Sequence, residues 1–259
     1  MYFGAKNISV SYGKEQVLKK VSLEIEKGKT TAIIGVNGSG KSTLLRALGR
    51  LVKFEGEVFF EDENLRQFKA KDIAKKVALL PQNAVSPTDI SVYDLVAMGR
   101  FPHQSFMQQG LTAADKEFLE QLMFDTEVWD LRDEKLEQLS GGQRQRVFIT
   151  MILAQDSEIL LLDEPTTYLD MVHQLEILNL LKRCASELKK TVVYVIHDLN
   201  HVARFADNLI VLKDGELACQ GAVSELFSPE MIQDCFGLRV QIGEDVFSGK
   251  RMITGIQNV

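Results

Sequence analysis

Three short stretches of this chain hold residue types whose order and spacing could do chemistry on a phosphate. The first, Gly35-Val36-Asn37-Gly38-Ser39-Gly40-Lys41-Ser42, fits the spacing G-x-x-x-x-G-K-[ST] of a phosphate-binding loop. Its glycines let the backbone curl so that successive N–H groups point inward at an anion. Lys41 supplies a mobile cation for β- and γ-phosphate oxygens, and the Ser42 hydroxyl is a candidate Mg²⁺ ligand. Asn37, Ser39 and Thr43 complete the set of candidate nucleotide-binding residues there. The second stretch, Ile159-Leu160-Leu161-Leu162, is an apolar run that ends in Asp163 and Glu164. Carboxylates at the carboxyl end of such a strand stand where ligands bind in open α/β sheets. Period-two alternation predicts that the two side chains diverge, which suits two jobs. Asp163 would hold Mg²⁺, directly or through water, and Glu164 would polarise an attacking water as general base. Between the two lies Leu139-Ser140-Gly141-Gly142-Gln143, a second glycine-rich helix start.

The surrounding pattern predicts the elements that position these groups. Tyr2 to Tyr12 and Gln16 to Glu26 read as strands around a turn at Gly13-Lys14. Thr30 to Ile34 is a short strand running into the phosphate loop, and Ser42 to Leu51 has helical spacing, with Leu44, Leu45, Leu48 and Leu51 available for one face. Gly56 to Phe60 reads as another antiparallel strand and Val77 to Leu80 as strand-like. Helices are predicted at Val92 to Met98, Ala113 to Met123 and Gln143 to Ala154. The core resumes with strand Ile159 to Leu162, helix Met171 to Leu188 and strand Thr191 to Ile196. Ile210 to Leu212 and Leu217 to Cys219 form a hairpin around Lys213-Asp214-Gly215-Glu216. After Gly221 a short helical stretch and two more strands are indicated. The expectation is a parallel-sheet α/β core, residues 1–81 and 158–259, with a helical lobe inserted at 82–157.

The three motifs in this order resemble the ATP-binding subunit of ABC transporters, and the resemblance covers nearly the whole chain. It implies a P-loop NTPase fold of the ABC ATPase type, with an antiparallel β subdomain and the inserted helical lobe. It also implies ATP and Mg²⁺ as cofactors and a homodimer in which two nucleotides are sandwiched. One chain cannot easily aim two helix starts at one phosphate, so in the family Ser140, Gly141, Gly142 and Gln143 serve the partner protomer's nucleotide. Residue by residue, Gln82 matches the glutamine that senses Mg²⁺ and the attacking water. His197 matches the switch histidine that contacts the γ-phosphate, and Tyr12 the aromatic that stacks on adenine. Tyr168-Leu169-Asp170 occupies the family's D-loop, where Tyr168 departs from the commoner small residue. Val92 to His103, and Thr166 to Asp170, are similar to ATPases of iron–siderophore, haem and vitamin B12 importers. In that subfamily the segment after the glutamine faces the membrane subunits. Phe101 and Phe106 are then either covered by a permease helix or part of the lobe's core, and Arg100 and His103 belong to the same coupling segment.

Composition bounds the rest. The 259 residues are 45% hydrophobic and 25% charged, ordinary for a globular protein. A net charge of −6 gives no reason to expect a nucleic-acid partner. Cys184, Cys219 and Cys235 are an odd set without ligand spacing, which reads as reduced, structural thiols. No signal peptide is visible, and no apolar stretch approaches the ~20 residues that span a bilayer. A transporter built on this chain needs a separate polytopic permease, with a substrate-binding protein in the same system and this subunit peripheral on the cytoplasmic face of the membrane. A free-standing ABC ATPase, such as one assisting iron–sulfur cluster assembly, would share every nucleotide motif and is the alternative.

Overall fold

The computed structural model describes residues 1–84, 87, 89–104 and 110–258. Two compact units emerge, Met1–Gln67 with Leu181–Val259, and Phe68–Leu180.

The first unit opens with β1 (Phe3–Tyr12) and β2 (Glu15–Ile25), an antiparallel hairpin around the predicted turn. Next come β3 (Thr30–Gly35), α1 (Lys41–Leu48), β4 (Glu55–Phe60) and β5 (Glu63–Asn64). β1 is flanked by β2 and β4, and β5 extends β4, giving a four-stranded antiparallel sheet. Its inner face buries Phe3, Ile8, Leu18, Ile25 and Phe60. α1 is shorter than the apolar spacing predicts. It stops at Leu48, Gly49 caps it, and Arg50 turns the chain into the left-handed region with φ 57°. Arg50 is held there by a guanidinium hydrogen bond to the Leu65 carbonyl. Leu51 is therefore 64% exposed instead of joining the buried face; Gly49 was the stop signal.

The second unit contains α2 (Ala70–Ala74), β6 (Val77–Leu80), α3 (Val92–Met98), α4 (Ala113–Asp125), α5 (Gly141–Ala154) and β7 (Ile159–Asp163), and α6 (Met171–Ser186) starts in it. β6 and β7 pair in parallel from Val77↔Ile159 to Leu80↔Leu162. α3, α4 and α5 each start on a side-chain cap: Ser91 accepts from the Asp94 N–H, Thr112 from Asp115 and Ser140 from Gln143. The inserted lobe read from the sequence, 82–157, lies inside this unit. The unit also takes in β6 and β7, because Gln155 at the end of α5 donates to the carbonyls of Ala74 and Val77 (3.2 Å to the latter).

The chain then completes the first unit with β8 (Thr191–Val195), α7 (Leu199–Phe205), β9 (Asn208–Lys213), β10 (Glu216–Ala222), α8 (Val223–Leu226), α9 (Pro229–Phe236), β11 (Leu238–Glu244) and β12 (Arg251–Asn258). β3 lies between β8 and β9 and is parallel to both. β3 and β8 are buried at every position, the pattern of parallel strands covered on both faces. β9 and β10 form the predicted hairpin, with positive φ at Asp214 (51°) and Gly215 (81°). The tail carries two short helices and the β11–β12 hairpin, pinned to α7 where Ile253 N–H donates to Asn200 Oδ1 at 2.7 Å.

Candidate functional site

In the first unit, β3 delivers the chain into the loop Gly35–Gly40, and α1 begins immediately after it. Gly40 is the residue before the helix, in the left-handed region at φ 96°, and no side chain caps the helix start. A helix start that follows a glycine in this way suits an anion, which its first N–H groups and positive end favour. Gly35 permits a tight passage: a Cβ there would lie 2.2 Å from the Leu212 carbonyl oxygen of β9. Lys41 is buried, its Nζ donating to the carbonyls of Gly35 and Val36 at 3.0 Å each. The ammonium is therefore held across the mouth of the loop. Asn37 and Gly38 are exposed, Ser39 is buried, and Ser42 and Thr43 are half-buried. Tyr12 ends β1 with 49% of its surface exposed. An aromatic at a strand end more often joins the core, so this one is available for stacking.

β8 carries His197 to the same edge. Ile33 of β3 is in register with Val195, and continuing that register sets Gly35 level with His197, which is exposed. The following Asp198 caps α7 through the N–H groups of Asn200 and His201.

In the second unit, β7 ends at Asp163, whose carboxylate is buried to 2% exposure. Glu164 does not continue the strand. Its φ of 53° is left-handed, so the divergence of the two carboxylates comes from a backbone kink and not from strand alternation as the sequence predicts. A non-glycine residue held in that region stores strain and marks a site to inspect. Gln82, beyond the end of β6, donates its amide N–H to Glu164 Oε2 at 2.7 Å, and the Thr167 hydroxyl donates to the same oxygen at 2.9 Å. Two residues predicted to act on one water are thus brought together. Within this unit the donor types fit a hard cation: a buried carboxylate at 163 and a side-chain amide oxygen at 82 are ligands of the kind Mg²⁺ takes.

α5 starts on a closed capping box. Ser140 Oγ accepts from Gln143 N–H at 3.3 Å, and Gln143 Oε1 accepts from Ser140 N–H at 3.0 Å. Gln143 therefore positions the helix start, while the Ser140 hydroxyl keeps its proton to donate. Behind Gly142 stands a residue that sequence reasoning missed. A Cβ at 142 would meet His173 Cδ2 at 2.0 Å, so the imidazole occupies the space that only glycine leaves. His173 is fixed in turn by Asp170, whose Oδ1 accepts from its backbone N–H at 2.9 Å and lies 2.7 Å from Nδ1. The spacing Asp170-x-x-His173 at the start of α6 was the available signal; Thr167, three residues after Glu164, gave none. Tyr168 is 91% exposed with φ 65°.

The segment after α3 is partly structural. Phe101 is 74% exposed, whereas Phe106 lies outside the described residues. Arg100 donates to Asp115 Oδ1 at 2.8 Å and to the Ala154 carbonyl at 3.1 Å, with its guanidinium 4.9 Å over the Phe118 ring. His103 Nε2 lies 2.8 Å from the Gln155 carbonyl. Both side chains tie the turn to α5, so they brace the unit and are not surface groups.

Among the described residues, no helix is long and apolar enough to cross a membrane. The family model of ABC transporters matches residues 18–167. The chain is 42% identical over 249 residues to the ferric enterobactin transport ATP-binding protein FepC of Escherichia coli (strain K12), covering 96% of this chain and 92% of that protein. It is 41% identical over 246 residues to the iron(3+)-hydroxamate import ATP-binding protein FhuC of Bacillus subtilis (strain 168), covering 95% and 91%. Among solved structures, a metal-chelate type ABC transporter in an inward-facing conformation superposes with a TM-score of 0.84 at 26% identity, over 98% of this chain and 96% of that one. A dimeric ATP-binding cassette in a post-hydrolysis state, bound to ADP and Pi, superposes at 0.72 with 32% identity, over 85% and 98%. The phosphate loop, the carboxylates behind it in sequence and the helix start between them stand inside that family match, and the chain belongs to the ABC transporter family as an ATP-hydrolysing cassette.

Proposed function

We propose that this chain powers uptake of an iron–siderophore or similar metal chelate through a separate membrane permease. The observation that carries this is identity of about 40% along nine-tenths of the chain to ATP-binding subunits whose cargo is ferric enterobactin, petrobactin or iron(3+)-hydroxamate. None of these relatives supports the free-standing alternative.

In this reading ATP lies in the loop of Gly35, Asn37, Gly38, Ser39, Gly40, Lys41, Ser42 and Thr43, with adenine on Tyr12. Mg²⁺ is held by Ser42, Asp163 and Gln82, and when bound it neutralises charge on the β- and γ-phosphates. Glu164 takes a proton from the attacking water, held in place by Gln82 and Thr167. His197 touches the γ-phosphate. Ser140, Gly141, Gly142 and Gln143 of a second copy close over the same nucleotide, so that the active form is a homodimer. The lobe 82–157 moves with the permease, Phe101 is covered by it, and the subunit sits peripherally on the cytoplasmic face. A substrate-binding protein delivers the chelate.

Affinity capture from detergent-solubilised membranes tests the assignment. A polytopic permease should co-purify, and in proteoliposomes hydrolysis should rise when binding protein loaded with a ferric chelate is added. A chain that co-purifies only with soluble partners would return the assignment to the free-standing class.

A further inference from the structure

Outside the nucleotide motifs, two of the three cysteines meet. Cys219 lies on β10 and Cys235 in the last turn of α9, and their thiols are within hydrogen-bonding reach of each other. Both line an open cavity of about 520 Å³ together with Lys213, Glu225, Ser228 and Asp234. Neither thiol is fully buried, so a small reagent entering this cavity reaches both. Cys184 is buried, and its burial pushes the thiol up to about 12, which keeps it out of thiol exchange. A metal cage is not the better reading. Among the described residues no group of three or more His, Cys, Asp or Glu gathers to hold an ion, and two thiols alone leave a zinc site half-ligated.

We propose that Cys219 and Cys235 form a redox-active dithiol that closes to an intrachain disulfide on reaction with low-molecular-weight disulfides such as oxidised glutathione. Burial pushes both thiols up, Cys219 to about 11. The Lys213 ammonium, anchored to the Asp234 carbonyl at 2.6 Å, works against that burial at Cys235. Cys235 is thus the attacking sulfur. Its thiolate displaces one glutathione thiolate and forms a mixed disulfide. Cys219 then loses its proton, attacks the Cys235 sulfur and expels the second glutathione. Two protein thiols are oxidised and one external disulfide is reduced to two thiols.

The bond would reach the nucleotide loop through the sheet. Cys219 is in register with Val211 of β9, and Val211 with Ile34 of β3, one residue before the loop's first glycine. Closing the disulfide ties α9 to that row.

The test incubates the purified full-length chain in glutathione buffers of rising oxidised fraction, then alkylates, unfolds and maps peptides without reduction. The expected product joins the Cys219 and Cys235 peptides, leaves Cys184 as the one remaining thiol, and reverts with dithiothreitol. Cys219→Ser should stop at glutathione on Cys235. Three alkylatable thiols at the most oxidising ratio, or a persistent mixed disulfide in the unaltered chain, would overturn the proposal. Both of those results are read on the unaltered chain, so neither depends on whether the variant folds.

Discussion

The starts of α1 and α5 look alike in sequence and differ in construction. Both are glycine-rich turns that open a helix, whose positive end favours an anion. α1 begins on a left-handed glycine with no side-chain cap, and a buried lysine spans the loop's own carbonyls. α5 begins on an extended serine closed into a box with Gln143 and backed by the His173 ring. On the proposed reading the first is the anion cradle. The second closes a capping box over its own first turn, and on the proposed reading it is pressed against a phosphate held elsewhere. That difference agrees with one site that binds and a second that joins only when a partner copy arrives.

Substitutions can break the comparison in order of effect. Lys41→Ala should weaken ATP binding by the isolated chain about 100-fold, on the order of 3 kcal/mol, in a fluorescent-nucleotide titration. Gly142→Ala should leave that affinity within about threefold, yet lower hydrolysis by roughly 30-fold, since the new methyl collides with His173. Adding His173→Ala removes the collision, and the double variant should recover part of the lost rate. Weakened nucleotide binding in Gly142→Ala would mean that the two helix starts are not specialised as described. Thr167→Ala should be the mildest. Losing one of two donors to Glu164 Oε2 should lower kcat about fivefold, near 1 kcal/mol, with KM unchanged.

Much of this was legible in the sequence because phosphate chemistry constrains residue type and spacing together. The strand before Gly35, the helix after it and the apolar run into Asp163 each follow from periodicity, and so do the β9–β10 hairpin and the tail's helix and strands. What escaped depends on side chains meeting across distance. Nothing local says that Gln82 reaches Glu164, that His173 fills the space behind Gly142, or that Glu164 leaves the strand in a left-handed turn. The coupling segment shows the cost of reading exposure from pattern. Arg100 and His103 look like surface groups of a docking turn, yet they pin it to α5. Arg100→Glu should therefore cost about 3 kcal/mol of stability by urea unfolding, where the sequence alone suggests an intact isolated chain. The Thr112 hydroxyl, and then Arg100, hold the Asp115 carboxyl below the usual carboxylate range. A depressed pKa stabilises the fold above the ordinary aspartate value, and that contribution is lost as pH falls through the depressed one. Acid should thus narrow the difference between native protein and Thr112→Ala, while above about pH 5 it should stay constant.

The central claim is that this chain hydrolyses ATP with Glu164 as the base, and Glu164→Gln tests it most directly. The amide keeps the shape and the contact with Thr167 but cannot take a proton. Steady-state phosphate release should fall by about 10²–10⁴-fold, while MgATP still binds and size-exclusion chromatography shows an ATP-bound dimer accumulating. Phosphate release within about threefold of the native rate would contradict the account by removing Glu164 from the chemistry.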